Sequence, residues 1–169
     1  MADYTKNART VINGFLWESL NEEEILFADD YRPDGFTKAL VPIVPIQEIP
    51  EFNNLLTDKT YITYDYEVEG YGDRWWICEE RMLYTIISTN ISKISEVTEF
   101  MIDLFRRLDD SGKDIQLYNP QDEKIKFYSI GLSSASAPAP FDQEGGRMSG
   151  SVEIFYKYSR ILDGSGRFS

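Results

Sequence analysis

The sequence contains no histidine, a single cysteine, and only 17 basic side chains against 29 acidic ones over its 169 residues. Without an imidazole, the usual zinc sites and every serine or cysteine triad that relies on a histidine base are excluded. One cysteine cannot close an intramolecular disulfide, so Cys78 reads as a small buried hydrophobe with no histidine beside it to activate the thiol. The formal net charge of −12 opposes phosphate binding, and the basic doublet Arg106-Arg107 on a predicted helix is poor material for a nucleic-acid interface. Long apolar runs are also missing. The longest, residues 39–46, is about half a membrane span and carries Pro42 and Pro45. Residues 1–10 lack the apolar core of a secretory signal. The chain is expected to be soluble and cytoplasmic, with no membrane contact.

What is present suits a packed core. Apolar residues make up 42% and aromatic residues 14%, which rules out global disorder. Much of the acidity is concentrated in Glu18, Glu22, Glu23, Glu24, Asp29, Asp30 and Asp34, opposed locally by Arg32 alone, and reads as a solvated stretch after a helix.

Periodicity organises the rest. Val11, Ile12, Phe15, Leu16 and Ser19 recur at spacings of three and four, predicting a helix over residues 7–20. Residues 41–46 alternate apolar positions with Pro42 and Pro45, which cannot donate to a sheet ladder, so this stretch reads as an extended arm on an apolar surface of its own domain or of a neighbour. From residue 60 the period becomes two. Tyr61, Thr63 and Asp65 fall on one side, Ile62, Tyr64, Tyr66 and Val68 on the other, followed by the turn signal Gly70-Tyr71-Gly72-Asp73. A strand over residues 75–88 completes a hairpin, with Trp76, Cys78, Met82, Tyr84 and Ile86 sharing a face. Ile91, Ile94, Val97, Met101, Leu104, Phe105 and Leu108 then mark the clearest helix, with Ser92 available as its cap and Gly112 beyond its end. Strands are expected over residues 124–133 and 149–161. The connection between them, residues 134–148, is rich in small residues and proline and is expected to be a mobile functional loop. The expected fold is α+β: an antiparallel sheet of about four strands packed by an N-terminal and a central helix, with a Pro-rich extended arm. It forms one domain over residues 1–169, with a flexible end from about residue 163.

Little in this pattern carries catalysis. Gly164 and Gly166 have no helix after them and do not make a phosphate loop. Among carboxylates, Glu79 and Glu80 are neighbours, with Asp65 and Glu67 on the partner strand. Adjacent strand residues point to opposite faces, so Glu79 and Glu80 cannot share a proton or a metal. Glu80 interrupts an apolar face and is expected to pair with an arginine, either Arg106 or Arg81 of a neighbouring subunit. The Trp75-Trp76 pair splits between faces, leaving one indole for an exposed or interface position.

The order of these elements, with "TYITYDYEV", "DRWWICEERMLYTIIST", "ISEVTEFMIDLFRRLD" and a closing "SGSVEIFYKYS", resembles the tail terminator (tail completion) proteins of long-tailed bacteriophages over residues 60–160. The resemblance implies a non-enzymatic virion protein that uses no cofactor and is assembled in the host cytoplasm. It would form a homo-oligomeric ring, a hexamer, that caps the head-proximal end of the tail tube and stops its polymerisation. Its partners would be the tail tube protein, the head-tail connector or stopper, and the sheath protein of a contractile tail, with DNA passing through unheld. Interface residues expected on this reading are Trp75, Glu80, Arg81, Phe141 as an anchor in the long connection, and Arg147 as a steering contact. Two alternatives stay open: another head-tail component, such as an adaptor or stopper, and a carboxylate-dependent metal-binding enzyme built on Asp65, Glu67, Glu79 and Glu80.

Overall fold

The computed structural model describes residues 7–35, 37–48, 59–71, 77–106, 124–142 and 146–160. Over these the chain forms α1 (Ala8–Glu22), β1 (Ile43–Pro45), β2 (Tyr61–Tyr71), β3 (Cys78–Ser88), α2 (Ile91–Phe105), β4 (Ile125–Asp142) and β5 (Arg147–Arg160). The fold is α+β, with a sheet of five strands in place of about four.

Both described α-helices start at an asparagine. The Asn7 side chain accepts from the Thr10 N–H while the Thr10 hydroxyl accepts from the Asn7 N–H, both at 3.1 Å, which satisfies two end groups reciprocally. From there Ala8, Ile12, Leu16 and Leu20 recur every four residues and are fully buried, while the expected Val11, Phe15 and Ser19 lie half-buried beside that stripe. In α2 the cap is Asn90, which accepts from the Lys93 N–H, and not Ser92. A cap must precede the first helical residue, and Ser92 is already inside the helix. Ile94, Val97, Met101, Leu104 and Phe105 turn inward, but Ile91 is exposed. Leu108 and Gly112 lie outside the described residues.

The sheet runs β1-β2-β3-β5-β4, with β1 parallel to β2 and every other pair antiparallel. Glu80, Met82, Tyr84 and Ile86 of β3 alternate with Glu79, Arg81, Leu83 and Thr85, and Val152, Ile154 and Tyr156 of β5 continue the buried face. Both helices lie on that face. Arg9 and Asn13 of α1 reach Glu80 and Tyr84, and Phe105 of α2 stacks on Tyr84 with ring centroids 6.3 Å apart. The other face is uncovered at its centre, where Leu83 and Phe155 are 42% and 43% exposed.

Both proline-bearing stretches differ from their expected form. The arm contributes a strand: Ile43–Pro45 pairs with Ile62–Tyr64 of its own sheet, and the Ile62 N–H donates to the Pro42 carbonyl at 2.7 Å. Proline is tolerated there because β1 is outermost. The long connection is mostly strand as well. Ser134 to Asp142 continue β4, and Arg147 already opens β5, with register slips at Phe127/Ser129, Leu132/Ser134, Ser136/Ala139 and Pro140/Asp142. Small residues and prolines have poor strand preference of their own, but β5 supplies a paired side, and an edge strand absorbs missing donors in bulges. Gly146, with φ of +64°, takes the left-handed conformation just before β5 opens at Arg147.

α2 meets β5 closely at Gly150, where an added Cβ would lie 2.9 Å from Ile94 Cγ2 and 3.3 Å from Thr98 Oγ1. Gly150→Ala should therefore push α2 off the sheet and cost about 1–3 kcal/mol in urea unfolding. An unchanged midpoint would show that the helix can withdraw freely.

Candidate functional site

Glu80 sits on the helix side of β3 and is 3% exposed. Burying a carboxylate is costly unless its oxygens are hydrogen-bonded and its charge is met. Here Arg9 Nη1, from the first turn of α1, donates to Oε1 at 3.0 Å and Oε2 at 3.1 Å. The Tyr156 hydroxyl donates to Oε2 at 2.6 Å and the Tyr158 hydroxyl to Oε1 at 2.8 Å. Arg9 in turn lies 3.9 Å from the centroid of the Tyr66 ring, so its cation is met by a carboxylate on one side and an aromatic face on the other. The expected arginine partner is thus found within the chain, but it is Arg9, neither Arg106 nor a neighbour's Arg81. The correction comes from helix packing, which carries Arg9 across 71 residues of sequence to β3.

Electrostatics follow the geometry. Burial, reinforced by hydrogen bonding to and the negative charge of Glu80, pushes the Tyr156 and Tyr158 hydroxyls well above the ordinary tyrosine range, so both remain donors. Burial also raises the Cys78 thiol, whose Sγ lies 3.9 Å from Glu80 Oε1. Cys78 is half-buried, less enclosed than the sequence suggests. A second buried polar contact, Tyr84 hydroxyl to Asn13 Oδ1 at 2.6 Å, lies one helical turn further along α1.

The open face has a different chemistry. Arg81 Nε bridges Glu69 at 3.1 Å and Glu153 at 3.0 Å, and Lys157 meets Glu79 at 3.2 Å. Leu83 and Phe155 are diagonal neighbours among these charges, since Leu83 pairs in register with Glu153 and Arg81 with Phe155. The end of the Phe155 ring lies against Gly131 of β4, where a Cβ would come within 2.6 Å of Cζ. A shallow depression of about 210 Å³ opens between Arg81, Leu83 and the acidic row Asp65 and Glu67. Glu79 and Glu80 do lie on opposite faces, and among the described residues no three acidic or thiol side chains converge as metal ligands.

The expected site residues do not gather in one place. Trp75 lies outside the described residues. Glu80 is enclosed by its own domain, Arg81 is on the open face, and Arg147 opens β5, where its Nη1 donates to the Tyr61 hydroxyl at 3.2 Å. Phe141 belongs to β4, and its side chain is outside the described set. The exposed acids of residues 18–34 are distributed over the end of α1, a 3-10 turn at Ala28–Tyr31 and the turns that follow each, and all are solvated. Sequence reasoning missed Arg9, Tyr156 and Tyr158 as partners of Glu80. A signal existed in Asn13, a polar residue next to the apolar stripe of α1 and four residues from Arg9.

No family model matches the chain, and no curated protein matches it.

Two outcomes test this site. Glu80→Ala should lower stability by about 3 kcal/mol in urea unfolding, because two tyrosine hydroxyls lose their acceptor while the partly exposed Arg9 can still reach water. A loss below about 0.5 kcal/mol, typical of a surface change, would show that the cluster does not hold α1 down. Because burial raises the Cys78 thiol, less thiolate is present at any given pH. Its alkylation by iodoacetamide at pH 8 should be several-fold slower than that of a free thiol and should accelerate toward pH 10, whereas alkylation at the free-thiol rate would contradict the burial.

Proposed function

We propose that this chain is a non-catalytic structural subunit of a long-tailed bacteriophage, a tail terminator whose copies form a ring on the head-proximal end of the tail tube, halt its growth and dock it to the head connector. The reading is supported by the resemblance of the element order and by one observation above the others. Among the described residues the sheet is covered by helices on one face only, and its other face presents Leu83 and Phe155 framed by Arg81, Glu153, Glu79 and Lys157. An apolar pair inside a polar rim is the anatomy of a docking surface. The charged cluster at Glu80 supports a structural role, since its oxygens are taken by Arg9, Tyr156 and Tyr158 and anchor α1 to the sheet. The net charge of −12 suits a lumen through which DNA passes without being held.

Electron microscopy and native mass spectrometry of the full chain should show a closed six-fold ring, and tail tubes grown in its presence should stop at a cap. Leu83→Ser with Phe155→Ser should weaken capping about tenfold while leaving the fold intact. A twelve-fold ring would favour an adaptor. A chain that stays monomeric and leaves tube length unchanged would overturn the reading.

A further inference from the structure

Charges on the open face do not cancel beside the exposed apolar pair. Asp65 of β2, Leu83 of β3 and Glu153 of β5 stand in one register row, and Glu67, Arg81, Phe155 and Gly131 of β4 stand in the next. Residues in register carry their side chains about 5 Å apart on the same face, so Leu83 has a carboxylate directly beside it on each neighbouring strand. Arg81 is in register with Glu67, but its Nε is bridged to Glu69 at 3.1 Å and to Glu153 at 3.0 Å. Asp65 and Glu67 are therefore exposed and have no ion pair among the described residues. The Tyr66 N–H donates to Asp65 Oδ1 at 2.9 Å, which holds that carboxylate in place and leaves its charge unmet.

Shape agrees with this residual charge. Because Gly131 has no side chain, the end of the Phe155 ring takes the place of a Cβ there, so the ring leans toward β4 and away from β2. On the β2 side the shallow depression opens. Its lining brings together Leu83, the free acids Asp65 and Glu67, and Arg81 with the Glu153 to which it is bridged. Asp65 and Glu67 are two residues apart on one strand, about 7 Å, a separation that the planar fork of a guanidinium can bridge. A second copy of this chain is a poor source of that cation. Arg9, Arg32, Lys93 and Lys157 are engaged by Glu80, Asp29, Glu96 and Glu79 of their own chain, and Lys126 lies over the Tyr128 ring, 5.1 Å from its centroid.

We infer that the open face receives a basic segment of a different protein, which sets an arginine between Asp65 and Glu67 with its stem on Leu83 and an apolar side chain against Phe155. Burial of Leu83 and Phe155 supplies the contact, and the two unmatched carboxylates select the cation. A neutral or acidic partner would exclude water from both carboxylates without replacing it, which is unfavourable. Phosphate backbones are rejected by the same charges. This inference rests on the docking role proposed above for this face and names the chemistry of what docks; it does not depend on a ring.

The probe is a synthetic peptide of alternating leucine and arginine, set beside a counterpart with glutamate in place of each arginine, and titrated into the isotopically labelled full chain by NMR. The arginine peptide should shift the Leu83 methyls, the Phe155 ring and the amides of Asp65 and Glu67, and should bind about fivefold more tightly than the glutamate peptide at low salt. That preference should shrink at high salt. Asp65→Asn combined with Glu67→Gln, which keeps an acceptor for the Tyr66 N–H, should bring the two peptides to within about twofold of each other and leave the melting curve unchanged. Absent or equal binding of the two peptides by the unmodified chain, or an undiminished preference in the variant, would overturn the inference. So would shifts of Leu83 and Phe155 with chain concentration alone, since a second copy would then be the occupant. Tail tubes separate this inference from the ring reading. If the unmodified chain forms a ring and caps tubes while the double variant caps them equally well, the basic partner is overturned and the ring reading stands. If the peptide preference holds but neither ring nor cap forms, the ring reading fails and the basic partner stands.

Discussion

Everything on the covered side of the sheet depends on how the buried carboxylate of Glu80 is satisfied. A lone charge at that depth would cost several kcal/mol. Arg9 meets the charge, and Tyr156 and Tyr158 take the remaining lone pairs, so three elements are tied at one point: the first turn of α1, the start of β3 and the last third of β5. The geometry also orients α1, because Arg9 and Asn13 lie one turn apart and meet Glu80 and Tyr84, which share a face of β3 four residues apart. A purely apolar stripe at Ala8, Ile12, Leu16 and Leu20 could slide along the sheet; two directional polar contacts fix its register.

The uncovered side obeys a different constraint. With both described α-helices on one face, the sheet leaves Leu83 and Phe155 of the other toward solvent, and among the described residues its margins are β1 and β4. Native edges are blunted by prolines, bulges and charge, and this sheet uses all three: Pro45 in β1, Pro138 and Pro140 with repeated slips in β4, and the acidic row of β2. The devices that discourage unselective pairing are the same ones that allow a selective partner. The open face with Leu83 and Phe155 is the physical basis on which an oligomeric structural role is proposed.

Local pattern determined a good deal by itself. The period of two in residues 61–71, 78–88 and 147–160, and the spacing of three and four in Ile94, Val97, Met101 and Leu104, specify their elements, because each element buries only one face and its sequence must repeat with that geometry. The same alternation places Glu79 and Glu80 on opposite faces without any knowledge of the fold. Only the tertiary structure decided what lies across from what. Arg9 reaches Glu80 through helix packing that spans 71 residues of sequence. It decided as well that Ile43–Pro45 and Ser134 to Asp142 are strands, since proline and small residues have no strand preference of their own and acquire the conformation from the neighbour that supplies the other half of the ladder.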